Sequence, residues 1–156
     1  MTYSSDLTSD SEQNLLGESI ATANHVEVIE TVIASLQEDQ SAMVSRTGEG
    51  YLWKFKYGTV EVFVQLSGLT EEDTLTVWSV VLKFPVKNEA QLLRKLLEMN
   101  WMSTLESRFC IAEDQVIVST TRTVAELSPG EVSRNITIVA TIADENDEPL
   151  QAEFAA

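Results

Sequence analysis

The chain is short of the residues from which most active sites are built. It holds one cysteine, Cys110, and one histidine, His25, among 156 residues. A lone cysteine excludes an internal disulfide framework and a cysteine-rich zinc site, and it suits a reducing compartment. His25 has no second histidine or cysteine with which to share a metal, and its position at the mouth of a helix fits a first-turn role. Cys110 stands between Phe109 and Ile111, where a buried structural thiol is expected, without a histidine partner to activate it. Glycine is sparse too, six residues in all. Gly48 and Gly50 bracket a turn but lack the Gly-Lys-Ser/Thr and the helix that a phosphate-binding loop requires. No apolar run approaches the roughly 20 residues that cross a bilayer. The opening MTYSSDLTSDSEQ carries acids and hydroxyls where a signal peptide carries bases and then an apolar run, so a cytoplasmic protein is expected.

Cations are scarce: 10 Lys and Arg stand against 25 Asp and Glu, a net charge of -15. Residues 1–50 hold nine acids and one base, residues 51–140 eleven acids and nine bases, and residues 141–156 five acids and no base. Nucleic acid is bound chiefly by neutralising phosphates, which this distribution repels. The acidic ends read as solvated segments. Carboxylates could do acid-base work or hold a divalent ion, and two groups stand close in sequence: Glu71, Glu72 and Asp73 in one loop, and Asp144, Asp147 and Glu148 with Asn146 near the end of a helix. Neither has the turn glycine and terminal glutamate of a calcium loop. No catalytic residue, metal ligand or cofactor is expected.

What is present is a strong apolar pattern, 44% of the chain, which is enough for one ordinary domain core. Residues 1–23 read as an acidic flexible leader, 24–145 as the domain, and 146–156 as an acidic frayed tail. Val26, Ile29, Ile33 and Leu36 recur at helical spacing over about 25–39, with Asn24 and Glu27 as a capping pair. A short strand at residues 42–46 can precede three longer ones. In YLWKFKY, Tyr51, Trp53, Phe55 and Tyr57 share a face opposite Leu52, Lys54 and Lys56. Gly58 turns the chain into TVEVFVQL, with Val60, Val62, Val64 and Leu66 opposite Glu61, Phe63 and Gln65. The third strand, 75–84, sets Leu75, Val77, Ser79 and Val81 against Trp78, Val80, Leu82 and Phe84. Both of its faces are apolar, so both need cover.

Asn88 with Gln91 offers an N-cap for a second helix whose expected buried stripe is Leu92, Leu93, Leu96, Leu97 and Trp101. Strands at 108–112 and 115–124 pair around Glu113-Asp114. Ser128, Pro129 and Glu131 begin a last helix, with Val132, Ile136, Val139 and Ala143 as its stripe, ending near DENDEP. The reading is an α+β fold, an antiparallel twisted sheet flanked by helices in the order α-β-β-β-α-β-β-α.

LLRKLLEMNW, then RFCIAED, VIVSTTRTV and LSPGEVSRNI, resembles the YbjN-domain family over about residues 24–145. Members of that family look like type III secretion chaperones in fold. The resemblance implies a twisted antiparallel sheet, frequent homodimers, and a protein segment held against an apolar surface. It implies no catalytic residues, and such domains carry the label of sensory or transcriptional regulators.

The functional expectation is a non-enzymatic protein-binding module, chaperone-like or regulatory, with a protein partner and a possible homodimer, and with no nucleic acid and no membrane. Its candidate partner or dimer surface is Tyr51, Trp53, Phe55, Tyr57, Phe63, Leu75, Val77 and Val81. The alternative is a small-ligand sensor with a pocket between helix and sheet near Trp53 and Trp78.

Overall fold

β-branched and aromatic residues in alternation build a six-stranded sheet, and the computed structural model describes it within residues 25–156. Residues 25–36 are helical (α1). Then come β1 (Met43–Thr47), β2 (Gly50–Tyr57), β3 (Val60–Leu66) and β4 (Thr74–Lys83), followed by α2 (Glu89–Met102), β5 (Arg108–Ala112), β6 (Gln115–Thr123) and α3 (Pro129–Phe154). The short strand before the three longer ones is thus present as β1. The sheet order is β1-β2-β3-β4-β6-β5, with every pair antiparallel. α2 carries the chain past the place of β6 to the edge, and the β5–β6 hairpin returns it beside β4.

One face of the sheet is the core. Trp53 and Phe55 of β2, Val62, Val64 and Leu66 of β3, Leu75, Val77 and Val81 of β4, and Val116 and Val118 of β6 are all buried there. Ile29 and Ile33 of α1, Leu92 and Leu96 of α2, and Val132, Ile136, Val139 and Ala143 of α3 join the same cluster. The opposite face carries a cross-strand row, Lys54, Phe63, Trp78, Ser119 and Arg108, and none of these five is buried.

Several expectations are corrected. The strict alternation of β4 breaks at a bulge between Val80 and Leu82, which turns Leu82 inward, where it is buried. The outer face of β4 is therefore less apolar than its sequence pattern implies. Asn88 precedes α2 in the left-handed conformation, φ 54° and ψ 50°, and makes no side-chain cap. Ser128 does cap α3: its hydroxyl oxygen accepts from the Glu131 amide at 3.1 Å. The proposed cap of α1 at Asn24 and the leader at 1–23 lie outside the described residues.

The run DENDEP, read as a stop, lies inside α3, and residues 146–156 are not a loose tail. Pro149 removes one amide donor from the helix, yet Leu150 and Phe154 are buried beyond it, and the Lys87 amide donates to the Phe154 carbonyl at 2.8 Å. Apolar burial of two large side chains, about 1.5–3 kcal/mol each, offsets the cost of a proline inside a helix, about 3 kcal/mol. Cys110 is exposed, because it projects from the edge strand β5 on the side opposite Phe109.

Candidate functional site

The eight residues expected to form a binding surface fall into two groups. Trp53, Phe55, Leu75, Val77 and Val81 are buried within the chain, and Tyr51 and Tyr57 pack partly buried against the same core. The Trp53 indole N–H donates to Glu30 Oε1 of α1 at 3.4 Å, and the Tyr51 and Trp53 rings stack at 5.3 Å. α1 thus covers Trp53 of this aromatic row. Phe63 alone points to the opposite face, where its ring stacks on Trp78 with centroids 5.3 Å apart and planes within 10°. Alternation correctly separates the two faces of each strand, but it cannot say which face the chain's own helices take.

Among the described residues the most exposed large apolar side chains lie elsewhere, on α2. Leu92 and Leu96 turn inward, whereas Leu97 is 70% exposed, Trp101 90% and Met102 80%. These three, with Ala90, Gln91, Arg94 and Glu98, line an open groove along the outside of the helix. Leu97 and Trp101 are four residues apart, so they form one strip. The expected stripe merged two faces: five large apolar residues at 92, 93, 96, 97 and 101 span more of the helix circumference than the sheet edge covers. Arg94 and Glu98 pair at 3.0 Å beside the strip.

A second concavity of about 650 Å³ opens where β3 and β4 part. Their pairing runs from Leu66 opposite Leu75 to Val62 opposite Ser79, and the bulge in β4 follows. Phe63, Trp78 and Val80 wall the cavity from the sheet, and Asp147 and Gln151 of α3 reach it from behind. The Gln151 side-chain amide donates to the Val81 carbonyl at 3.2 Å, taking over from the missing strand partner. Asp147 is 3% exposed. Its oxygens lie 2.9 and 2.7 Å from the Thr59 hydroxyl, which Asp144 Oδ1 approaches at 3.1 Å while also accepting from the Thr59 amide at 2.9 Å.

The loop carboxylates do not form a site. Asp73 accepts from the Thr70 hydroxyl at 2.6 Å, the Thr70 amide at 2.9 Å and the Ser67 hydroxyl at 2.9 Å. Those bonds, the Thr70 hydroxyl foremost, hold its pKa below the ordinary aspartate value. Its lone pairs are used in shaping the turn, while Glu71 and Glu72 point to solvent. Among the described residues no cluster of three His, Cys, Asp or Glu could hold a metal, and no helix is long and apolar enough to cross a membrane.

The model of the YbjN family, described as "Putative bacterial sensory transduction regulator", matches residues 25–152. No curated protein matches the chain.

Proposed function

Because the chain belongs to the YbjN family, which is described by regulation and not by a reaction, we propose that it is a non-enzymatic protein-binding module, chaperone-like or regulatory, that holds an apolar segment of a partner protein against the outer strip of α2. The observation that carries this reading is the exposure of Leu97, Trp101 and Met102 together on one helix. Leaving such side chains in water forgoes about 1.5–3 kcal/mol for each that could be buried. Tryptophan is also the residue most enriched among the few that dominate interface energies.

The strip runs along a helix, which suits a facing amphipathic helix making contacts every third or fourth residue. The occupant is taken to be another protein with basic flanks, because a net charge of -15 opposes bringing two copies together and favours a cationic partner. A cytoplasmic setting goes with this reading and draws support from the single cysteine.

The test is a titration with an amphipathic helical peptide of leucine and lysine, read by sedimentation and by tryptophan fluorescence, alongside Leu97→Asp and Trp101→Ala. The chain should be monomeric alone, and each substitution should weaken the complex by about ten-fold or more. A complex that survives both substitutions rests on charge alone and sinks the proposal. A homodimer dissociated by Leu97→Asp assigns the strip to a second copy instead.

A further inference from the structure

The cavity between β3 and β4 shares no residue with the α2 strip, and its chemistry is different. A volume of about 650 Å³ is that of a small-molecule pocket, which commonly lies between about 300 and 1,000 Å³. Two aromatic rings at its wall, Phe63 and Trp78, are stacked and only partly buried, so apolar ring surface remains open to a ligand.

The polar end is set by Asp147. A carboxylate has two oxygens and about four lone-pair positions, and a hydroxyl has a single proton. Among the described residues the Thr59 hydroxyl is the one side-chain donor hydrogen-bonded to Asp147, and Asp144 competes for that proton. Among the described residues no Lys or Arg forms an ion pair with Asp147, although Lys83 stands on the cavity rim. A buried carboxylate with so few donors is poorly compensated. A cation supplied from outside would meet that shortfall, and the ring faces would add cation–π attraction.

We propose that this cavity binds a small organic cation with an apolar body, an amine whose ammonium sits on Asp147 and whose carbon frame lies against Trp78 and Phe63. Gln151 and Thr59 then supply hydrogen-bonding capacity around the ammonium, and Val80 and Leu82 complete the apolar wall.

The test uses three probes of one shape and different charge, benzylamine, benzyl alcohol and benzoate, with the full chain observed by two-dimensional amide and indole NMR. Benzylamine should give saturable shifts at the Trp78 indole and the Gln151 side chain, and it should bind about ten-fold or more tightly than benzyl alcohol, with benzoate weaker still. Asp147→Asn keeps an oxygen for Thr59 and should remove that preference for the amine. Trp78→Leu, which leaves Asp147 untouched, should weaken benzylamine independently. Equal binding of amine and alcohol, an amine preference that survives Asp147→Asn, or no saturable shift at Trp78 each overturns the proposal.

Discussion

Asn100 pairs with the backbone of Phe109 as a neighbouring strand would. Its Oδ1 accepts from the Phe109 amide at 2.7 Å and its Nδ2 donates to the Phe109 carbonyl at 3.3 Å. β5 is an edge strand, and an open edge is a template for unwanted pairing. One side-chain amide on α2 closes that edge near its start, at the second residue of β5, and fixes the helix to the sheet. Asn100→Leu should therefore cost about 1–3 kcal/mol, the penalty for two unpaired backbone groups, measured as a fall in urea midpoint. Asn100→Asp keeps the acceptor but loses the donor and should lie between. An unchanged midpoint in Asn100→Leu would mean that water replaces the amide at no cost.

The two faces of α2 should answer differently to truncation. Leu92 is fully buried and Leu97 is 70% exposed. Leu92→Ala should cost about 2–5 kcal/mol, whereas Leu97→Ala and Trp101→Ala should fall within about 0.5 kcal/mol of the parent, as surface changes do. Chemical denaturation of the three variants side by side reads the difference. A large loss in Leu97→Ala would mean that the strip is already covered in solution.

Which parts of this fold were legible follows from how local the signal is. Period-two alternation in Tyr51–Tyr57 and Val60–Leu66 marked β2 and β3, and the Ser128-Pro129 start marked α3, because each depends on residues adjacent in sequence. The end of α3 was not legible: DENDEP reads as a stop, and what overrides it is burial of Leu150 and Phe154 by distant elements. The cover over the aromatic row and the bareness of Trp101 are likewise tertiary facts. The cavity at Asp147 depends on a bulge in β4, for which no glycine or proline within the strand gives notice.

The β5–β6 turn is built from the wrong residues for its shape. Glu113 and Asp114 both have positive φ, 51° and 59°, as a two-residue hairpin of the primed type I demands. That conformation costs about 1–2 kcal/mol per residue for ordinary L-residues, whereas Asn-Gly adopts it readily. Replacing Glu113-Asp114 by Asn-Gly should raise stability by about 1 kcal/mol, seen as a higher melting temperature. A lowered melting temperature would indicate that the two carboxylates make contacts worth more than the strain.

Gly58 joins the β2–β3 turn to α3. A Cβ there would lie 2.0 Å from Asp144 Oδ1, and its φ is +56°, so Gly58→Ala is opposed twice, by contact and by backbone. Asp144 must swing away, releasing the Thr59 amide that it accepts at 2.9 Å. The expected loss is about 1–3 kcal/mol. Asp144→Ala removes the clash, so Gly58→Ala made in that background should cost only the smaller strain component; a double-mutant cycle in urea gives the coupling. Strict additivity would separate the turn from the helix.

Acid should loosen this protein through three surface carboxylates in particular. The Arg134 guanidinium, first by its hydrogen bonds, holds Glu106 below the ordinary glutamate value of 4.5, and the Arg122 hydrogen bond does the same for Glu131. Asp73 is held below 3.8 by Thr70 and Ser67. A carboxylate whose folded pKa is depressed contributes stability that is complete above its unfolded value and is lost as pH falls through the folded one. The contribution is thus whole above about pH 4.5 and declines on further acidification, while Arg134, its pKa raised further by the hydrogen bonds to Glu106, stays charged throughout. All three groups face solvent, so each effect is small and weakened by salt. Urea midpoints from pH 7 to pH 3 at low ionic strength should fall more gently in Glu106→Gln and Asp73→Asn than in the parent. An acid limb of the same steepness in both variants would place the titration that loosens the fold on other carboxylates.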